Sequence, residues 1–286
     1  VPELPEVHAL VTDLGSRLTG RTVDRLDVLS FAVLKTFEIS PSALSGEVVR
    51  GVARHGKFLD LSIGDIHLVM HLARAGWIRW RDGPLPPPSR LGKSAVAARL
   101  VLDDGSGLDL TEAGTKKSLA LYLVADPREV PGVARLGPDP LDDSFTLDVF
   151  ADILMAAGRS QIKGVLRNQS IIAGIGNAYS DEILHVARMS PFKPASMSPD
   201  DVAVLYDAIQ TTLRGAIARA DGLAASELKK EKKLGLRVHG RTGEPCPVCG
   251  DTVRQVIFAD STLQYCPTCQ TGGKPLADRV LSRLLK

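Results

Sequence analysis

The chain has 286 residues, enough for two domains and a small appendage. With 44% hydrophobic and 24% charged residues it has a globular composition, which excludes wholesale disorder. A net charge of only +2 excludes a uniformly basic surface, so any contact with nucleic acid has to come from local patches.

The first seven residues, Val1-Pro2-Glu3-Leu4-Pro5-Glu6-Val7, carry two prolines and two carboxylates where chain ends are usually frayed. If residue 1 is removed, Pro2 becomes the terminus. Its secondary amine would titrate near neutral pH and could attack an aldehyde carbon to form an iminium. Glu3, beside it, is placed to shuttle protons. The same residues also suit an extended arm entering a helix, with acids favoured by the helix dipole. Val7, Leu10, Val11, Leu14 and Leu18 fall at helical spacing and predict a helix over 7–18. Short strand-like runs follow at 22–29, 47–54, 57–63, 67–72, 76–80, 96–102, 107–111 and 119–124. Turn signals such as Gly64-Asp65 and Asp103-Asp104-Gly105 make this a β-sandwich or barrel-like domain over 1–131. The proline-rich stretch 83–88 is expected to be an exposed loop.

Residues 132–145, rich in Gly, Pro and Asp, read as a linker. Helical patterns follow at 146–157, 161–168, 178–187, 198–219 and 224–233, giving a helical domain over 146–234. Ser198-Pro199-Asp200-Asp201 is a strong start signal, with a serine N-cap, an early proline and acids in the first turn. A basic, hairpin-like segment over 235–286 closes an α+β, multidomain chain. No internal repeat is visible and no apolar run is long enough to span a membrane. The acidic start lacks the basic region of a signal peptide.

All four cysteines lie in this last segment, as Cys246-Pro-Val-Cys249 and Cys266-Pro-Thr-Cys269 with sixteen residues between the pairs. Two such knuckles on a hairpin offer four thiolates to one tetrahedral zinc, which a segment this short needs in order to fold. With every ligand position filled the ion is structural, and the alternative is two disulfides or free thiols. Gly174-Ile175-Gly176-Asn177-Ala178-Tyr179 joins two helices, and its glycines would let backbone N–H groups approach a phosphate. Asn177 adds a side-chain donor; an ordinary helix–turn–helix connection is the plainer reading. Lys57, in Arg54-His55-Gly56-Lys57, is placed either to meet a phosphate or to face solvent in a turn. His71, in an apolar strand with Arg74 nearby, reads alone as a core histidine. Lys229-Lys230-Glu231-Lys232-Lys233 with Arg237 and Arg241 sets six basic residues against one acid, a phosphate-binding patch or a solvated face.

Taken in order, the N-terminal Pro-Glu-Leu-Pro-Glu-Val, Gly56-Lys57, the 174–179 motif, Gly240-Arg241-Thr242-Gly243-Glu244-Pro245-Cys246 and the second cysteine pair resemble the formamidopyrimidine-DNA glycosylase/endonuclease VIII family. The resemblance runs over nearly the whole chain. It implies a base-excision-repair enzyme, a bifunctional DNA glycosylase/AP lyase. The implied fold is an N-terminal β-sandwich, a helix–two-turns–helix domain and a C-terminal zinc finger. Pro2 would attack C1′ of a damaged nucleotide in double-stranded DNA, Glu3 would act as general acid/base through β,δ-elimination, and Glu6 would support them. Lys57, His71 and Asn177 would hold phosphates flanking an everted nucleotide, with Arg74, Tyr179 and Arg241 also on the DNA side. Eversion follows from the chemistry, since C1′ is inaccessible in a stacked duplex. The family expectation is a bacterial, cytoplasmic, nucleoid-associated monomer with one zinc and no other cofactor. If Val1 stayed in place, Pro2 would be an amide and the iminium could not form.

Three departures concern lesion recognition. Where the family has His-Leu-Gly-Met-Ser-Gly, this chain has His71-Leu72-Ala73-Arg74-Ala75-Gly76, with Arg74 in place of the gap-filling methionine. The family's Asp-Pro-Arg-Arg-Phe-Gly loop is replaced by 111–119, which has no aromatic wedge. The zinc hairpin has Asp260 at or near the place of a phosphate-gripping arginine, an unfavourable exchange that Arg254 or the lysines at 229–233 would have to offset. These changes predict retained lyase chemistry with altered lesion choice and weak action on 8-oxoguanine. They also leave open a paralogue that only binds damaged DNA. A zinc-ribbon adaptor would explain the cysteines but not the N-terminus.

Overall fold

Helix α1 (Leu4–Leu18) starts three residues earlier than the apolar spacing predicts, because a capping box closes its first turn. Glu3 is the N-cap: its carboxylate accepts from the Glu6 backbone N–H, and its own N–H donates to Glu6 Oε2 at 2.8 Å. Pro5 sits in the first turn, where a missing N–H leaves no intrahelical bond unmade. The expected extended arm is thereby reduced to Pro2 and Glu3. Leu4, Val7, Leu10, Leu14 and Leu18 are buried, and the helix packs on β2 (Val49–His55) and β3 (Phe58–Ile63).

The computed structural model describes residues 2–84, 95–113, 117–258 and 261–277. Val1, the proline-rich loop beyond 84, residues 114–116 and Asp260 lie outside the described residues. The chain forms two compact units, Val1–Leu136 with Ala220–Lys230, and Gly137–Arg219 with Glu231–Lys286.

In the first unit all the predicted strands form, with ends shifted by a residue or two. Besides β2 and β3 these are β1 (Val23–Val28), β4 (Ile66–His71), β5 (Gly76–Arg81), β6 (Val96–Leu102), β7 (Gly107–Glu112) and β8 (Ala120–Val124). They make two antiparallel sheets, ordered β1-β6-β7-β5 and β2-β3-β4-β8. Alternate residues of both sheets, among them Leu59, Leu61, Leu68, Met70, Leu100, Leu108, Leu110 and Leu121, share one core with α1, which makes this a sandwich. Asp109, fully buried, is held by Arg99 at 2.6 Å and Arg81 at 3.2 Å. The Glu112 carboxylate accepts from the backbone N–H groups of Ser118 and Leu119, at 2.6 and 2.8 Å, fixing the return of the loop that lacks an aromatic wedge. A short helix α2 (Pro131–Ala134) lies on the outer side of β3, its Gly132 against the Phe58 ring.

Helices α3 (Leu147–Ala157), α4 (Ile162–Arg167), α5 (Asn177–Val186) and α6 (Pro199–Ala220) follow, and Phe150 of α3 and Tyr206 of α6 pack with Phe145 in an aromatic cluster. Thr146 caps α3 through its hydroxyl. Helix α7 (Leu228–Gly235) begins four residues later than expected. The Ala225 N–H is used by Asp13 Oδ2 at 3.3 Å, and the Ala224 N–H by Glu227 Oε2 at 3.2 Å. The ribbon β9 (Arg254–Ile257) and β10 (Thr262–Tyr265) and the short α8 (Pro267–Thr271) complete the unit.

The β4–β5 turn holds two residues whose backbone disfavours a Cβ, one a glycine and the other not. The Gly76 N–H donates to Leu72 O at 2.9 Å, and a Cβ there would lie 2.2 Å from that oxygen. Ala73 has φ +50°, a left-handed conformation that strains an L side chain by about 1 kcal/mol. Adding a Cβ at Gly76 and removing the one at Ala73 should therefore act with opposite signs. Gly76→Ala is expected to lower the urea midpoint by more than about 2 kcal/mol equivalent, whereas Ala73→Gly should leave it unchanged or raise it. Denaturation curves of the two variants test this, and equal losses would contradict the turn geometry.

Candidate catalytic site, nucleic-acid interface and metal centre

In the first unit Pro2 is buried directly before the capping box, and Glu3 and Glu6 are 2% and 4% exposed. The helix start thus fixes the backbone position of the residue that would bear the amine. Lys57 enters β3 from a tight turn at Gly56, which has φ +53°. The next residue, Phe58, pairs across the ladder with His71, their rings 4.6 Å apart. Burial, aided by the Lys57 charge, pushes the His71 imidazole down from 6.5 to about 4. His71 is therefore neutral at physiological pH, a hydrogen-bonding group rather than a second cation beside Lys57. Arg74 stands exposed in the turn that follows.

In the second unit the 174–179 motif closes the loop between α4 and α5 and delivers Asn177 to the first position of α5. Gln169 knits this loop: its Nε2 donates to Arg167 O and Ile175 O at 2.9 and 2.6 Å, and its Oε1 accepts from the Gly174 N–H at 3.0 Å. Gly174 has φ +85°, which favours glycine. Asn177 Nδ2 donates to Thr262 O on the ribbon at 2.7 Å, while its Oδ1 is buried without a partner among the described residues. Tyr179 is buried with the Lys232 ammonium 4.8 Å over its ring. Arg241 is paired with Glu244 at 2.7 Å, so it would have to exchange that carboxylate for a phosphate.

The four cysteines converge. Their sulfurs all lie within 4.8 Å of one another, with Cys249–Cys266 at 3.3 Å and Cys246–Cys269 at 3.9 Å. A tetrahedral zinc with Zn–S bonds of about 2.3 Å has sulfurs about 3.8 Å apart, so the set fits one zinc and is far too open for disulfides. Around the cysteines the described core is small, Val238 and Val253 with Cys246, Cys266 and Cys269, so the metal adds to the packing of Val256, Leu263 and Tyr265 on the ribbon strands.

Three polar side chains that sequence reasoning passed over lie on α5. Asp181 Oδ1 accepts from Lys163 Nζ at 2.6 Å, and Oδ2 meets His239 Nδ1 at 2.7 Å. Glu182 accepts from the backbone N–H groups of Arg237, Val238 and His239, at 2.7, 2.9 and 2.8 Å. His185 Nε2 lies 3.3 Å from Cys246 Sγ. Three polar residues within five positions of a buried helix were the available signal; their partners, Lys163 of α4 and residues 55 to 61 positions downstream, left none.

Profiles of known families cover most of the chain. The formamidopyrimidine-DNA glycosylase N-terminal domain matches residues 1–116, the H2TH domain of the same enzyme 136–227, and the zinc finger found in FPG and IleRS 243–272. A formamidopyrimidine-DNA glycosylase of Symbiobacterium thermophilum is 35% identical over 94% of this chain and 89% of its own length. The chain belongs to the formamidopyrimidine-DNA glycosylase family. An uncharacterized formamidopyrimidine-DNA glycosylase-like protein of Mycobacterium tuberculosis is 57% identical across 54% of this chain and 98% of its own. Among solved structures, Lactococcus lactis formamidopyrimidine-DNA glycosylase bound to DNA containing an AP site superposes with a TM-score of 0.80. It is 27% identical over 94% of this chain and 99% of that one. The MutM protein of Thermus thermophilus gives 0.78 at 32% identity, over 96% and 100%. Sandwich, helix–two-turns–helix domain and zinc finger are thus those of the family.

His71 gives the site a pH signature. Its folded pKa lies below its unfolded value, so the unfolded chain binds more protons between about 4 and 6.5. Its contribution to stability is complete above 6.5 and is lost as pH falls toward 4. In an NMR titration the imidazole should stay neutral to below pH 5, and His71→Asn should flatten the fall in stability over that window. Normal titration near 6.5 would contradict the burial described.

Proposed function

We propose that this family member is a DNA glycosylase/AP lyase of base excision repair that works through the Pro2 amine, in the processed form whose first residue is Pro2. Pro2, held directly before the Glu3–Glu6 capping box in a chain of this family, is the observation that carries the reading. The amine attacks C1′, and the damaged base departs with the glycosidic electron pair, protonated as it leaves. Glu3 supplies the acid that opens the sugar. Loss of the C2′ proton from the iminium expels the 3′ phosphate, a second elimination expels the 5′ phosphate, and hydrolysis returns the free amine. Glu6 holds the Glu3 backbone in place.

Lys57 as cation and His71 as neutral donor hold phosphates from the first unit; Asn177, at a helix start, serves from the second once its Nδ2 exchanges Thr262 O for a phosphate oxygen. Exposed Lys230, Lys233, Arg237 and Arg254 offset the acid at Asp260. The protein acts as a monomer on the double-stranded DNA of the bacterial cytoplasm. Arg74 and the wedge-free 111–119 loop shift the lesion range away from 8-oxoguanine.

Borohydride trapping on a duplex with a single abasic site tests the chemistry. A covalent adduct is expected from the native chain and none from Pro2→Gly, with Glu3→Gln slowed by about a hundredfold or more. DNA binding without any adduct, from protein shown to begin at Pro2, would instead make this a recognition protein on an enzyme scaffold. A duplex with 8-oxoguanine opposite cytosine tests the lesion range. Excision well below the rate of abasic-site cleavage is expected, and comparable rates would overturn the altered range.

A further inference from the structure

We infer that His185 is an outer-sphere positioning residue of the zinc site, donating a hydrogen bond from Nε2 to the Cys246 thiolate and so tying the metal's ligand set to helix α5. His185 is 2% exposed on the buried face of α5, with Nε2 3.3 Å from Cys246 Sγ. A zinc-bound thiolate only accepts, so the facing nitrogen has to carry the ring proton. The other nitrogen, Nδ1, is buried with no partner among the described residues, which suits a bare lone pair in a neutral ring. The imidazole is thus held in one tautomer with its single proton aimed at the sulfur. Partners of this kind fix ligand orientation and tune the electron density on a metal's ligands.

The placement gives this bond a reach beyond the sulfur. Asp181 and Glu182, one turn earlier on α5, grip the backbone and His239 at the entry to the first cysteine knuckle. At the start of the same helix Asn177 grips Thr262 of the ribbon. One helix therefore contacts the ribbon along its length, and His185 is the member that touches a metal ligand. The inference rests on the zinc finger alone and stands whether or not Pro2 is the nucleophile.

Competition with a chromophoric chelator on the full-length, zinc-loaded chain tests it. His185→Phe keeps a ring but removes the donor; it should weaken zinc retention roughly tenfold or more and shift the thiolate-to-metal charge-transfer bands of the cobalt(II)-substituted protein. His185→Gln, whose amide N–H can reach the sulfur, should restore most of both. Native retention and unshifted cobalt bands in His185→Phe would overturn the assignment, as would a Gln variant as impaired as Phe. Should His185→Phe fail to fold, the native chain loaded with cadmium-113 decides by NMR. Scalar coupling between the metal and the His185 Nε2 proton is expected, and a proton found on Nδ1 instead would overturn it.

Discussion

The reciprocal hydrogen bonds between Glu3 and Glu6 set the position of everything proposed for the chemistry. An N-terminal nucleophile is only as well placed as the end of its chain, and chain ends fray unless something holds them. Here helix α1 begins two residues after Pro2, and its apolar face, from Leu4 to Leu18, is buried in the sandwich core. The freedom lost in fixing Pro2 is offset by burial of that whole helix rather than by contacts of the proline alone. Glu3 and Glu6 act locally as cap residues, and Glu3 directly follows the residue whose amine the proposed lyase would use.

Helix α5 has the corresponding place in the second unit. Its first residue, Asn177, is delivered by a loop that Gln169 closes, and its interior carries Asp181, Glu182 and His185 into the zinc ribbon. Buried carboxylates are tolerated because each is paired or saturated with donors: Asp181 by Lys163 and His239, and Glu182 by three successive backbone amides. Even so, burial outweighs those amides and holds the Glu182 carboxyl above its ordinary range. The ribbon's apolar clusters are small, Val238 and Val253 beside the cysteines and Val256, Leu263 and Tyr265 on its strands, so these polar contacts and the metal add to its hold.

What the sequence disclosed follows from the range of the interactions involved. Strands β1 to β8 were legible because alternation of apolar residues and turn signals are local, and the zinc site because its spacing is itself the geometry. The start of α1 was missed because its N-cap is a glutamate, outside the usual Ser, Thr, Asp and Asn set. Helix α7 was drawn too long because Asp13, more than two hundred residues away, takes the Ala225 amide. Nothing near His185 or Glu182 in the chain announces a partner in the ribbon. His71 read alone as a core histidine; its depressed pKa fits that reading, while Lys57 beside it fits a phosphate contact as well.

The central claim is that the α-amine of Pro2, and no lysine, forms the covalent bond to DNA. It is tested most directly by digesting the borohydride-reduced protein–DNA adduct and sequencing the modified peptide by mass spectrometry. The account predicts that the sugar remnant sits on the peptide beginning Pro2-Glu3-Leu4-Pro5-Glu6. A remnant on Lys57 or another lysine, or an N-terminal peptide that still carries Val1 in protein able to form the adduct, would contradict it.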